Sequence, residues 1–309
     1  MNDFKQVLSK EEWTGFTLRA LYASAGYEKY RMSKFEEYDL YVRNKDFLVS
    51  DSVITFTDTD GKLLALKPDV TLSILKNAKL PQQGTMKVYY NETVYRVSKG
   101  TKSYKELLQA GLECLGEVTD EELAQVLTLA AKSLEAISAN NVLELSHLGI
   151  VEGVFRYCGL TPAAADAAWR CLGEKNLAGV QAVAESSGLS EREAELLQKL
   201  VTVYGKTEKT VDLLDAFCVD KETETAVADF KRLIQALQTG GVAEKLRVDF
   251  SVLGDMRYYS GVAFKGFVEG IPTGVLSGGQ YDKLMARMGK KGKAVGFAVY
   301  LDEVGKIKE

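Results

Sequence analysis

Apolar and polar positions follow two different periods along this chain, and the places where the period changes divide it into strand-rich ends and a helical middle. Residues 10 to 25 set Trp13, Phe16, Ala20 and Leu21 at helical spacing and stop at Gly26, which predicts a helix. Tyr27 to Tyr41 reads as a strand and a loop with aromatic anchors. Two short apolar runs, Val53 to Phe56 and Leu63 to Leu66, flank Asp58-Thr59-Asp60-Gly61, a hairpin signal. Lys67-Pro68-Asp69-Val70-Thr71 then opens a helix, with Asp69 near its amino end. Tyr89 to Gly116 supplies two short strand-like halves joined by a polar, lysine-rich connection, Ser98 to Lys105. A helix from Thr119 to about Ser138 carries Asp120, Glu121 and Glu122 in its first turn, where the helix dipole favours acids. Asn141 to Ser146 is a strand.

From 149 to 245 the chain becomes rich in alanine, leucine and glutamate. Helical periods repeat there, broken at Gly159, Gly173, Gly188 and Gly205. Strand character returns from Arg247 to Phe267, Gly270 to Thr273 makes a turn, and Ser277-Gly278-Gly279 reads as a tight loop. Ala294 to Val299 is a small-residue strand before a last helix. The expectation is an α+β fold: an antiparallel sheet supplied from both ends of the chain (1–148 and 246–309), with 149–245 as an inserted helical subdomain.

One stretch departs from ordinary core patterning. Along Leu107 to Leu115, a strand places Gln109, Gly111 and Glu113 on one face and Leu108, Ala110, Leu112 and Cys114 on the other. Two hydrogen-bonding side chains flank a residue with no side chain, leaving an open floor with a polar group at either end. Buried polar groups need partners. A ligand is one candidate for the missing partner; neighbouring backbone is the other.

Composition narrows the chemistry. A net charge of -4 counts against broad nucleic-acid binding. Four separated cysteines without metal-ligand spacing read as reduced thiols, and no apolar run reaches membrane-spanning length. The polar amino end lacks a signal peptide, so the expected location is cytoplasmic. With one histidine, His147, a multi-histidine metal site is impossible. Its simplest role is that of a partly buried or capping residue.

Several blocks in order resemble the catalytic core of class II aminoacyl-tRNA synthetases, and histidyl-tRNA synthetase in particular. Tyr27 to Tyr41 resembles the first signature, Y-E-E-I-R-T-P-I-F-E-E-x-E-L-F. Leu66 to Thr71 resembles L-R-P-E-G-T, Val94-Tyr95-Arg96 the F-R of the second signature, and Gln109 to Glu113 its Q-x-G-x-E. Tyr258-Tyr259-Ser260-Gly261 resembles Y-Y-T-G, Gly278 to Asp282 resembles G-G-R-Y-D, and Gly296-Phe297-Ala298 starts the third signature. Together the blocks keep their order from Tyr27 to Ala298, where any one alone would be weak.

The resemblance implies an amino-acid pocket. Asp69, with Val70 and Thr71 behind it, stands where the family's glutamate binds the α-ammonium. Arg96 stands at the ligand carboxylate, Gln109 and Glu113 at the amino group and the imidazole N–H, and Tyr258 and Tyr259 where tyrosines close over the ring. The departures fall on the nucleotide side. Gly254 replaces the arginine before G-L-D-Y-Y, Val97-Ser98-Lys99 replaces H-E-R, and Ser33 replaces the first-signature proline. Glu303 replaces the arginine that clamps the triphosphate, which reverses the charge facing ATP. The chain also stops soon after the third signature, without an anticodon-binding domain. This combination resembles the regulatory subunit of ATP phosphoribosyltransferase. The family implies no catalysis and no cofactor, L-histidine as ligand, a homodimeric core, and a hetero-octamer with the short-form catalytic subunit that relays histidine inhibition. Two competing expectations are a truncated synthetase that activates or senses an amino acid, and a tRNA-binding pseudo-synthetase.

Overall fold

The computed structural model describes residues 7–44, 48, 53–98, 101–252 and 259–307. The first helical period forms α1 (Lys10–Ser24), started by a capping box in which Ser9 accepts from the Glu12 N–H while the Glu12 carboxylate accepts from the Ser9 N–H. The next stretch differs from a strand and loop. It holds β1 (Glu28–Lys29), β2 (Phe35–Glu37) and a helix, α2 (Tyr38–Arg43), which buries Tyr41. Strands of two and three residues are too short to show alternation, and a six-residue helix too short to show its own period.

The expected hairpin is present as β3 (Thr55–Thr57) and β4 (Leu63–Leu66). Its turn is held by Asp58 Oδ1, which accepts from the Asp60 N–H at 2.9 Å and the Lys62 N–H at 2.8 Å. With β2 it makes a separate three-stranded sheet. Helix α3 (Val70–Asn77) follows. The two halves around the polar connection are not short: β5 (Thr85–Val97) and β6 (Tyr104–Gly116) each run 13 residues as one long hairpin. Next come α4 (Asp120–Ile137), capped by Thr119 and Glu122, and β7 (Asn141–His147).

The segment 149–245 is mainly helical: α5 (Leu148–Tyr157), α6 (Pro162–Gly173), α7 (Leu177–Ser186), α8 (Glu191–Thr202) and α9 (Lys221–Thr239). Gly159, Gly173 and Gly188 lie at helix ends, whereas Gly205 sits inside a short strand, β8 (Tyr204–Lys206). That strand pairs with β9 (Leu246–Asp249), so the helical segment also contributes to the sheet edge. The chain closes with β10 (Val262–Val268), β11 (Leu276–Gln280), α10 (Asp282–Arg287), β12 (Lys293–Tyr300) and a helical turn, Leu301–Val304.

Ser277-Gly278-Gly279 is therefore not a loop. It lies in β11, paired to β10 on one side and β12 on the other. Glycine serves close packing here rather than turning: a Cβ on Gly278 would strike the Gly296 carbonyl and Phe297, and one on Gly279 would meet the Tyr259 ring at 2.5 Å.

The main sheet has nine strands in the order β1-β5-β6-β12-β11-β10-β7-β9-β8. From β5 to β7 all neighbours are antiparallel, while β1 on β5 and β7 on β9 are parallel. Because β12 lies between β6 and β11, the two ends of the chain meet at the centre of the sheet. Helices α1 and α4 bury one face, where Leu18, Tyr22, Leu127 and Leu134 pack on Ala110, Leu112, Phe264 and Phe297. Burying side chains of this size contributes about 1.5–3 kcal/mol each. The other face carries a second apolar cluster, with Ala65, Val70, Leu72, Val88, Tyr90, Val94 and Tyr281, and the polar row of β6. Among the described residues no helix is long and apolar enough to cross a membrane.

Candidate functional site

Strand register assembles the site. Across β5 and β6, Val88 faces Glu113, Tyr90 faces Gly111 and Glu92 faces Gln109; across β12, Gly296 faces Glu113, Ala298 faces Gly111 and Tyr300 faces Gln109. Residues directly opposite one another project to the same side of a sheet. The predicted face is thus a polar row set in a strip of very small residues, Gly111, Gly296 and Ala298.

The floor at Gly111 is not open, as the residue pattern alone suggested. The Tyr90 hydroxyl lies 2.5 Å from where a Gly111 Cβ would sit, and the Phe297 carbonyl is closer still. The absent side chain admits a phenol from the neighbouring strand. At Gly296 a Cβ would occupy the place of a Glu113 carboxyl oxygen, so this glycine gives Glu113 its room.

Glu113 is 2% exposed. Its partners come from the chain itself: Thr71 Oγ1 donates to Oε1 at 2.7 Å, and the Tyr281 hydroxyl donates to Oε2. Burial pushes its pKa up to about 8, against the two hydroxyl bonds and with some help from the Asp69 charge. Two hydroxyls, with no cation at bonding distance among the described residues, leave the ionised form poorly compensated. Gln109 is 4% exposed, and its Nε2 makes no hydrogen bond among the described residues.

Asp69 caps α3, its Oδ1 accepting from the Leu72 N–H at 2.8 Å. Burial also raises its pKa, opposed by that N–H and by the charge of Arg96. Arg96 donates its Nε–H to the Pro68 carbonyl at 3.1 Å, which holds the guanidinium against the start of α3. Val70 is packed into the apolar cluster, whereas Thr71 reaches Glu113. The structure therefore brings Asp69, Thr71, Arg96 and Glu113 to one end of α3, and Gln109 lies further along the same face of β6, opposite Glu92. Tyr259 packs against Gly279, and Tyr258 and Gly254 lie outside the described residues.

Residue patterns missed three members of this region. Tyr281 belongs to a quoted motif, but nothing in the sequence marks it as the partner of Glu113, 168 positions away. Lys67 is 0% exposed and pairs with Glu92 at 2.9 Å, beside Gln109. Tyr41 is 1% exposed, with its hydroxyl unpartnered among the described residues. Glu303, at the third-signature position, accepts from Lys306 at 2.6 Å and from Thr273 at 2.9 Å, which keep its carboxyl below the usual range. His147 is the N-cap of α5 through its backbone. Burial pushes its pKa down to about 4, and its ring packs 5.7 Å from that of Phe230. Among the described residues no group of three acidic, histidine or cysteine side chains could hold a metal ion.

The family model described as histidyl-tRNA synthetase matches residues 6–304. The chain belongs to the histidyl-tRNA synthetase family. Within it, similar curated relatives are ATP phosphoribosyltransferase regulatory subunits. The one from Acetivibrio thermocellus is 25% identical over 296 residues, covering 93% of this chain and 70% of the relative. The one from Caldanaerobacter subterraneus subsp. tengcongensis is 28% identical over 293 residues, covering 93% and 75%. Among solved structures, an ATP phosphoribosyltransferase regulatory subunit/histidyl-tRNA synthetase from Bacillus halodurans superposes with a TM-score of 0.85 at 24% identity, over 97% of this chain and 79% of that one. The family assignment fixes the sheet as a class II synthetase-like sheet.

Proposed function

We propose that this member of the histidyl-tRNA synthetase family is a non-catalytic regulatory subunit of ATP phosphoribosyltransferase. It activates the short-form catalytic subunit in the first step of histidine biosynthesis and takes L-histidine in the pocket at the amino end of α3. The names of the curated relatives, which match over nearly the whole chain, support the role. The pocket reading rests on one observation: Glu113 and Gln109 are both buried on one polar strand face, on either side of Gly111, and Thr71 at the start of α3, next to Asp69, reaches Glu113. An imidazole offers a donor, an acceptor and a flat apolar face, and an amino acid adds one charge of each sign. Asp69 suits the ammonium, Arg96 the carboxylate, and Gln109 and Glu113 the ring, with Val70 and Thr71 setting the helix start and Tyr258 and Tyr259 closing over it. Such a site rejects apolar amino acids, because its own polar groups would stay unpaired.

Activation of an amino acid does not fit the rest of the reading. Glu303 puts an anion where a triphosphate clamp needs a cation, and Gly254 offers no side chain in place of the arginine. We assign the assembly as a homodimeric core within a hetero-octamer of four regulatory and four catalytic chains in the cytoplasm. The synthetase-like core is 1–148 with 246–309, and 149–245 is the insertion. Two measurements test this. Titration with L-histidine in a calorimeter should give a binding isotherm that Glu113→Ala weakens at least tenfold; absence of heat with and without the catalytic subunit sinks the histidine reading. Adding the purified chain to a short-form ATP phosphoribosyltransferase should raise its rate. Amino-acid-dependent exchange of pyrophosphate into ATP would instead make the chain a truncated synthetase.

A further inference from the structure

The sheet row that carries Glu113 continues over two further strands. Gly296 of β12 faces Glu113 and Gly279 of β11 faces Gly296, so the three residues stand in one line and project to the same side. Neither glycine adds a side chain to that line. The Glu113 carboxyl leans over Gly296, where a Cβ would strike its Oε2, and the Tyr259 ring lies over Gly279, 2.5 Å from where a Cβ would sit. Facing residues on neighbouring antiparallel strands are about 5 Å apart at the backbone. The acid and the aromatic ring are therefore neighbours on the pocket face, and the place of the ring is set by residues 259–262, which lead into β10.

That segment is held from the end of β11. The Gln280 carbonyl accepts from the Ser260 N–H, and Gln280 Oε1 accepts from the Val262 N–H, both at 2.8 Å. Ser260 Oγ in turn accepts from the Asp282 N–H at 2.9 Å. Gly261 makes room for the amide, since a Cβ there would strike Gln280 Oε1. Tyr281, between the two clamping residues, donates its hydroxyl to Glu113. Three consecutive residues thus fix both the acid and the segment that bears the ring. In the motif that this stretch resembles, G-G-R-Y-D, position 280 is arginine. A guanidinium has donors only and cannot take the N–H of Val262, a residue 2% exposed here. The clamp depends on an acceptor at 280.

We propose that Gln280 is a positioning residue of the histidine site: by holding residues 259–262 it sets the Tyr259 ring beside the Glu113 carboxyl, without touching the ligand itself. The proposal rests on the histidine reading above and deepens it. Two variants break the same bond from opposite ends. Gln280→Leu removes the acceptor, and Gly261→Ala, at a position without a left-handed φ, pushes the amide away. Tyr259→Ala removes the ring that the bond is held to position.

Calorimetric titration of the full-length chains with L-histidine, alongside an unliganded melt of each, is the test. Gln280→Leu and Gly261→Ala are each expected to bind about tenfold more weakly than the parent, the equivalent of one net hydrogen bond. Added to Tyr259→Ala, either change should bring no further loss, because no ring is left to place. A lower Tm with unchanged affinity makes Gln280 a structural residue only and overturns the proposal. Equal losses with and without the Tyr259 ring overturn it as well, because the effect then does not run through that ring. If Gln280→Leu fails to fold, Gly261→Ala alone and with Tyr259→Ala decides by the same criteria. A parent chain that gives no isotherm ends the histidine reading and the positioning role with it, whereas a parent and variants that bind equally end only the positioning role.

Discussion

Alanine at Gly111 should destabilise the chain by about 3 kcal/mol or more, the upper end of what an added methyl does in a packed interior. A Cβ there collides with the Phe297 carbonyl of β12 and lies 2.5 Å from the Tyr90 hydroxyl. The tyrosine is 2% exposed with little room to turn, and the carbonyl belongs to β12, an interior strand of the sheet. Relief would require β6 and β12 to separate, breaking the pairing that joins the two ends of the chain. Gly173→Ala is the matched control: nothing lies within 4 Å of its Cβ, and it ends α6 without a left-handed φ. That change should be neutral or stabilising by up to about 1 kcal/mol. Urea unfolding of the three proteins measures both. Similar midpoints for Gly111→Ala and the parent would mean that the sheet centre is far looser than its packing.

Stability without ligand should fall between pH 4.5 and 8, and Glu113→Gln should remove most of that fall at this site. Glu113 titrates near its ordinary value of 4.5 when unfolded and near 8 when folded. Below pH 4.5 both states hold the proton, and the contribution of the group to stability is fully present. As pH rises towards 8, the unfolded chain releases a proton that the folded chain retains, which favours unfolding. Above 8 both forms are ionised and the loss is complete. At about 1.4 kcal/mol for each unit of displacement, the total reaches a few kcal/mol. The stability of the glutamine variant relative to the parent should therefore rise through this window and level off above it. A difference that stays constant from pH 5 to pH 9 would show that the hydroxyls of Thr71 and Tyr281 keep Glu113 ionised throughout.

Much of the fold was legible because it depends on local rules. The starts of α1 and α4 follow from Ser9 with Glu12 and Thr119 with Glu122, and the β3–β4 hairpin from its Asp-Gly turn. The two faces of β6 follow from a period of two, whatever lies next to them. What stayed hidden was short or set by neighbours. β1, α2 and β8 are too brief to carry a period. Ser277-Gly278-Gly279 has the composition of a loop, and only the flanking strands make it part of the sheet.

The site divides in the same way. The sequence by itself determined that Gln109, Gly111 and Glu113 share one face and that Asp69 starts a helix, since both follow from backbone geometry over a few residues. It also carried ordered motifs dense enough to point to the family. Only the tertiary structure decided what meets that face. Tyr90 covers Gly111, Thr71 and Tyr281 satisfy Glu113, and among the described residues Gln109 Nε2 and the Tyr41 hydroxyl are buried without a hydrogen bond. These contacts join residues 42 and 168 positions from Glu113. They depend on β12 entering between β6 and β11 and on the start of α3 lying against the polar row of β6. Both placements are fixed by burial of apolar surface over the whole molecule, which no local pattern records.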